Sequence, residues 1–119
     1  MARTLTFTGT MTWPLEDGQQ AAKLVVSSSL VYTSVLAVEK VFASTIVDEA
    51  IALPMTSAKF LLVKALTNDI DVKLNGAATA ITVKAGAGFL LVQNDDGAIT
   101  AMTVSNAVAP ATVEVYAFS

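Results

Sequence analysis

Apolar and polar residues alternate with a period of two along residues 3–13. Leu5, Phe7, Met11 and Trp13 share one parity, and Thr4, Thr6, Thr8, Thr10 and Thr12 share the other. That period predicts a β-strand with one covered and one wet face. Threonine is β-branched and suits the outer, pleated surface. Gly9 breaks the apolar parity and predicts a bulge, a bend or a close backbone approach. Pro14 should end the strand, and Glu16-Asp17-Gly18 reads as a turn.

The strand pattern continues through the rest of the chain. Residues 22–33 are β-rich. Residues 35–43 admit two periods: Val31, Val35, Val38 and Phe42 fit a helical stripe, whereas Leu36, Val38 and Phe42 alternate around Lys40. β-Branched residues dominate and no N-cap precedes them, so a strand is expected. Thr45 to Leu53 reads as another, stopped by Pro54. Lys59 to Leu66 is an unbroken apolar run of strand length, which predicts a central strand or burial on both faces. Asn68-Asp69 turns the chain. Ile70, Val72 and Leu74 then alternate with polar residues up to Asn75-Gly76, a strong hairpin signal. Ile81 and Val83 return, Ala85 to Gly88 is a loop, and Phe89 to Val92 reads as a second buried run. Asn94 to Gly97 is a tight turn. Ile99 to Val104 and Thr112 to Phe118 are the last strands. Phe60-Leu61-Leu62-Val63 recurs as Phe89-Leu90-Leu91-Val92, each followed by an Asn/Asp turn and an alternating strand. The echo fits two corresponding hairpins of a two-sheet sandwich, or chance, since Leu/Val runs are common in strands.

Eight or nine short strands with frequent turns and no crossover helix predict an all-β fold. The expected architecture is an antiparallel β-sandwich, jelly-roll-like, in a single domain over residues 1–119.

Composition narrows the chemistry. The 119 residues carry 7 basic and 10 acidic side chains, a net charge of −3, with only 14% of residues charged and 54% apolar. This excludes intrinsic disorder. No histidine is present, which removes Ser-His-Asp and Cys-His catalysis and any imidazole ligand or switch. No cysteine is present, which removes disulfides, thiolate nucleophiles and iron–sulfur clusters. Neither uncharged stretch, Lys23 to Glu39 or Gly97 to Val113, is apolar enough for a spanning helix, and the N-terminus shows no signal-peptide h-region. High apolarity without a span means a well-filled core, a sizeable subunit interface or both, and in so short a chain a contribution from an oligomer interface or docking surface is favoured.

The acids cluster as Glu16/Asp17, Asp48/Glu49, Asp69/Asp71 and Asp95/Asp96. Such pairs could hold Ca²⁺ or hydrolyse glycosides, but several sit in turn sequences, where Asp bonds its own backbone. No metal, cofactor or catalytic residue is assigned. Ala85-Gly86-Ala87-Gly88 lacks the Lys-Ser/Thr of a phosphate loop. Dispersed lysines and a pI near 4.6 argue against nucleic acid. The Thr row could be an ice- or glycan-binding ladder; an exposed strand face is the plainer reading. Trp13, Tyr32 and Tyr116 could stack on a sugar, or anchor a core or an interface. The candidate interface residues are Thr4, Thr6, Thr8, Trp13, Tyr32 and Tyr116. The edges Thr4–Thr12 and Val113–Phe118 are candidates for extending a neighbour's sheet.

The succession of strand types resembles small virion structural proteins of tailed bacteriophages. It is carried by Thr4–Trp13 with the Pro14–Gly18 turn, Ser27–Tyr32, Ile46–Leu53, Lys59–Lys64, Val72–Gly76, Ile99–Asn106 and Val113–Tyr116. The resemblance implies a β-sandwich that decorates and cements a capsid, or joins tail and fibre assemblies. It also implies a non-enzymatic role without cofactors, and a location in the virion after assembly in the host cytoplasm. Partners would be the major capsid protein or other virion proteins, together with copies of itself, with a trimer favoured and neither nucleic acid nor membrane involved. The alternatives are a tail, fibre or baseplate module that binds host glycans and, from a different class, a carboxylate enzyme acting on polysaccharide.

Overall fold

The structure, a computed structural model, describes residues 2–13, 22–93 and 99–119. The expected turns at Pro14–Gly18 and Asn94–Gly97 lie outside the described residues. The chain divides into two compact units, residues 1–32 and 33–119.

The first unit is a two-stranded ribbon. β1 (Arg3–Trp13) and β2 (Ala22–Tyr32) pair antiparallel from Arg3 opposite Tyr32 to Trp13 opposite Ala22. The period of two is realised: Thr4, Thr6, Thr8, Thr10 and Thr12 are all exposed, while Leu5 and Phe7 are half-buried. The register runs through Gly9 without a bulge. A Cβ on Gly9 would meet the Phe7 ring at 3.4 Å, an ordinary contact, so neither a bulge nor a close approach sets glycine there.

The second unit contains eight strands: β3 (Val35–Phe42), β4 (Ile46–Ala50), β5 (Phe60–Thr67), β6 (Ile70–Leu74), β7 (Ile81–Val83), β8 (Phe89–Gln93), β9 (Met102–Asn106) and β10 (Ala111–Phe118). They form two antiparallel four-stranded sheets, ordered β3-β10-β5-β8 and β4-β9-β6-β7. The pairs β3/β10, β4/β9, β5/β8 and β6/β7 are each neighbours, as if one long hairpin were folded over and split between two layers. Ten strands are thus described, against eight or nine expected.

One core joins the layers. Leu61, Val63 and Ala65 on β5 and Val113, Val115 and Ala117 on β10 are fully buried, as are Ile70, Val72, Met102 and Val104 from the other sheet. The molecule is therefore an all-β antiparallel sandwich. The alternation on β10 is complete, with every second residue from Ala111 to Ala117 buried and those between half-buried.

Several boundaries move. β4 stops at Ala50, and Ile51 is instead a buried core residue whose N–H donates to the Met102 carbonyl. The ninth strand begins at Met102; Ile99 forms only an isolated bridge with Ala58. Phe89–Val92 is not a buried run. It is the edge strand β8, and Phe89 is 62% exposed. The echoed segments nevertheless correspond. β5 and β8 pair with each other, Leu61 opposite Val92, and the strands that follow them, β6 and β9, pair too, Val72 opposite Val104. Each repeat gives one strand to each sheet.

Val113–Phe118 is not an edge: β10 lies between β3 and β5. Two of the four edge strands, β3 and β4, carry exposed charges, Lys40 and Glu49, at registers opposite the buried Val113 and Val104. A charge at a core-parity position on an edge strand discourages further strand pairing. Lys40 Nζ lies 5.9 Å from the Phe42 ring centroid, so its stem lines the edge while its charge stays wet.

Candidate interaction surfaces

The six candidate interface residues fall on both units. Five lie on the ribbon. Thr4, Thr6 and Thr8 stand opposite Val31, Ser29 and Ser27 on one exposed face, a hydroxyl-rich strip with no charge near its middle. Trp13 is exposed at the ribbon's far end, and Tyr32 is half-buried opposite Arg3. On the face opposite the threonines, Leu30 is buried, whereas Met11, Trp13, Leu24 and Val26 are exposed. A lone two-stranded ribbon is marginally stable in water, and this end displays the apolar area that a contact would bury.

Tyr116 lies on β10 in the second unit, on the outward face of its sheet. Three rows of side chains cross that face. One runs Ala37, Tyr116, Leu62, Leu91; the second runs Glu39, Glu114, Lys64, Phe89; the third runs Val35, Phe118, Phe60, Gln93, and its Phe60 is buried. Val41 and Leu66 are exposed beyond the second row. The outward face of the other sheet is polar, with Asp71 opposite both Ser105 and Thr82, and Lys73 opposite Thr103. The sandwich has one wet outer face and one apolar one, which is uncommon for an antiparallel sheet open to solvent. The unbroken runs Lys59–Leu66 and Phe89–Val92 predict burial; in the fold the outward half of each run lines this face instead.

The charged row places Glu39 directly opposite Glu114, a like-charge pair across strands. The Tyr116 hydroxyl donates to Glu114 Oε2 at 2.9 Å. That bond, then burial and the carboxylate charges of Glu114 and Glu39, pushes the Tyr116 pKa above the ordinary phenol value. Ala37, Val38, Glu39, Glu114 and Tyr116 line a shallow depression of about 150 Å³.

Asp48, Asp69 and Asp71 have structural partners. Asp48 sits in a bulge with φ of 48°, its N–H donating to Ser105 Oγ at 2.8 Å and its carboxylate 3.0 Å from Lys73 Nζ. Asp69 accepts from Lys84 Nζ at 2.8 Å and from the Ala85 N–H at 2.9 Å. The lysine bond, then the backbone bond, holds its carboxyl below the ordinary range, and the same contact raises Lys84. Asp71 accepts from the Thr82 hydroxyl at 2.6 Å. Glu16/Asp17 and Asp95/Asp96 lie outside the described residues. Among the described residues no cluster of three His, Cys, Asp or Glu side chains could hold a metal ion, and no helix is long and apolar enough to cross a membrane. The Ala85–Gly88 loop leads into strand β8; a Cβ on Gly88 would stand 2.6 Å from the Lys84 carbonyl, so glycine serves close backbone packing there. Two wider depressions, about 300 Å³ beside Asn68, Asp69 and Val108 and about 450 Å³ beside Met55 and Lys59, gather no set of groups able to exchange protons with a substrate.

Comparison with protein families, with curated proteins and with solved structures finds no match for this chain.

Proposed function

We propose that the protein is a structural component of a bacteriophage virion, most simply a capsid decoration or cement protein that stabilises the shell through subunit contacts. It does no bond-making chemistry and needs no cofactor. Its partners are the major capsid protein or other virion proteins, and copies of itself. The carrying observation is the apolar outward face formed by Leu62, Leu91, Phe89 and Tyr116; the exposed apolar end of the ribbon is a separate such surface. Burying such area supplies the free energy that a cementing contact contributes. We read the eight-strand wrap as a jelly roll, an architecture shared by viral capsid and lectin domains. The test mixes the protein with shells of its major capsid protein. Binding at a fixed ratio, with a higher temperature of shell rupture, is expected; failure to sediment with the shells would rule the reading out.

Exposed Trp13 at the ribbon end favours a second reading, a tail or fibre module on which a host glycan stacks. Glycan binding by the isolated protein, lost in Trp13→Ala, would select it.

A further inference from the structure

The outward face of the β3-β10-β5-β8 sheet carries opposite charges on its two central strands, an order that a second copy can complement. Across the row, β3 and β10 present Glu39 and Glu114, β5 presents Lys64 and β8 presents Phe89. Among the described residues Lys64 and Glu39 form no ion pair, and Glu114 bonds only the Tyr116 hydroxyl. We propose that this face binds the same face of a second copy of the chain, about a two-fold axis that runs along the strands between β10 and β5.

That axis reverses the strand order without shifting the rows. β10 then lies over the partner's β5, and Glu114 faces the partner's Lys64 twice, once in each direction. In the neighbouring row Tyr116 lies over the partner's Leu62, and Ala37 over the partner's Leu91. Each central charge meets its opposite, the neighbouring row is apolar on both sides, and Glu39 lies over the partner's Phe89 at the margin. An axis in the face perpendicular to the strands would set each strand over itself, so Glu114 would never meet Lys64, and the charge order favours the first arrangement.

The area fits a weak contact. Three strands of eight residues and β8 of five, about 4.8 Å apart at about 3.3 Å per residue, make a face of about 460 Å². The pair would bury about 900 Å², at the weak end for a specific interface, so association should be reversible. The polar outward face of the other sheet offers no comparable patch. The contact is isologous, and so implies a two-fold pair where the resemblance favoured a trimer. It rests on the reading that this molecule works through contact area, and it is independent of the identity of the shell.

The experiment is sedimentation equilibrium of the full chain over a wide concentration range, with circular dichroism of each variant as a check on folding. The expected result is a monomer–dimer equilibrium. Glu114→Lys and Lys64→Glu, each alone, set like charges face to face and should weaken the dimer by about tenfold or more. Mixed one to one, the two folded variants carry opposite charges at every facing position and should associate with each other as tightly as the original chain. A monomer at all concentrations, a trimer, single variants that dimerise undiminished, or a mixture that does not recover would each overturn the proposal. Shell binding by a protein that stays monomeric would leave the virion reading standing while removing this one.

Discussion

Asn106 holds the β3–β4 corner through Ile46. Its Oδ1 accepts the Ile46 N–H at 2.7 Å, and its Nδ2 donates to the Val108 carbonyl at 3.1 Å and to the Ser44 carbonyl at 3.4 Å. It is the buried polar residue among the described positions, and its amide satisfies groups from two connections at once. Asn106→Leu keeps the volume but leaves the Ile46 N–H without a partner and should cost about 3 kcal/mol in urea denaturation. Asn106→Asp keeps the acceptor and adds a buried charge, so it should cost more. Equal stability of either variant with the parent would contradict the role.

The core makes a second prediction. Leu61 is fully buried between the layers, whereas Val47 is 82% exposed on the β4 bulge. Leu61→Ala should lose about 3 kcal/mol, the transfer and cavity terms together. Val47→Ala should stay within about 0.5 kcal/mol of the parent. Thermal unfolding of the two variants side by side reads the contrast.

A third prediction concerns the turn after β6. Asn75 and Gly76 both have positive φ, 54° and 71°, and the Ala77 N–H closes the turn on the Leu74 carbonyl at 3.0 Å. Asn75 Oδ1 also accepts from the Thr100 N–H at 2.8 Å and its hydroxyl at 3.0 Å. Nothing lies within 4 Å of a Cβ on Gly76. Gly76→Ala should therefore cost about 1 kcal/mol, from the left-handed backbone alone. Asn75→Ala loses the same backbone fit and the cross-loop bonds as well, and should cost about 2 kcal/mol or more. The reverse ranking in chemical denaturation would show that the bonds to Thr100 are unimportant.

The Asp69–Lys84 pair sets a pH dependence. The carboxyl pKa is lowered in the folded state, so its contribution is complete above the ordinary value of 3.8 and disappears as pH falls through the folded value. Lys84 is raised, so its contribution is complete below 10.5 and is lost as pH climbs through the folded value. The stability difference between the parent and Asp69→Asn should be flat from about pH 5 to about pH 8 and should close at both extremes. Both groups are exposed, so the plateau should be small and should shrink in salt. A difference that widens on acidification would exclude this assignment.

Strand identity was largely written in the sequence. The Thr/apolar alternation of 3–13 gave β1, the alternation about Val72 gave β6, and Asn75-Gly76 gave the turn, because period and turn chemistry act over a few residues. The unbroken Phe60–Val63 run also correctly implied a central strand. The same reasoning could not tell that Phe89–Val92, with the same four side chains, would form an edge with Phe89 in solvent. Nor could it tell that Val113–Phe118 would lie between two neighbours rather than at a margin. Edge or centre depends on which strands pair, and pairings such as Ala117 with Leu36 join residues far apart in the chain. Composition announced a surplus of apolar area. Only the tertiary fold decided where that surplus surfaced, because registry between distant strands put Glu114 beside Lys64 and Tyr116 beside Leu62 on one outward face.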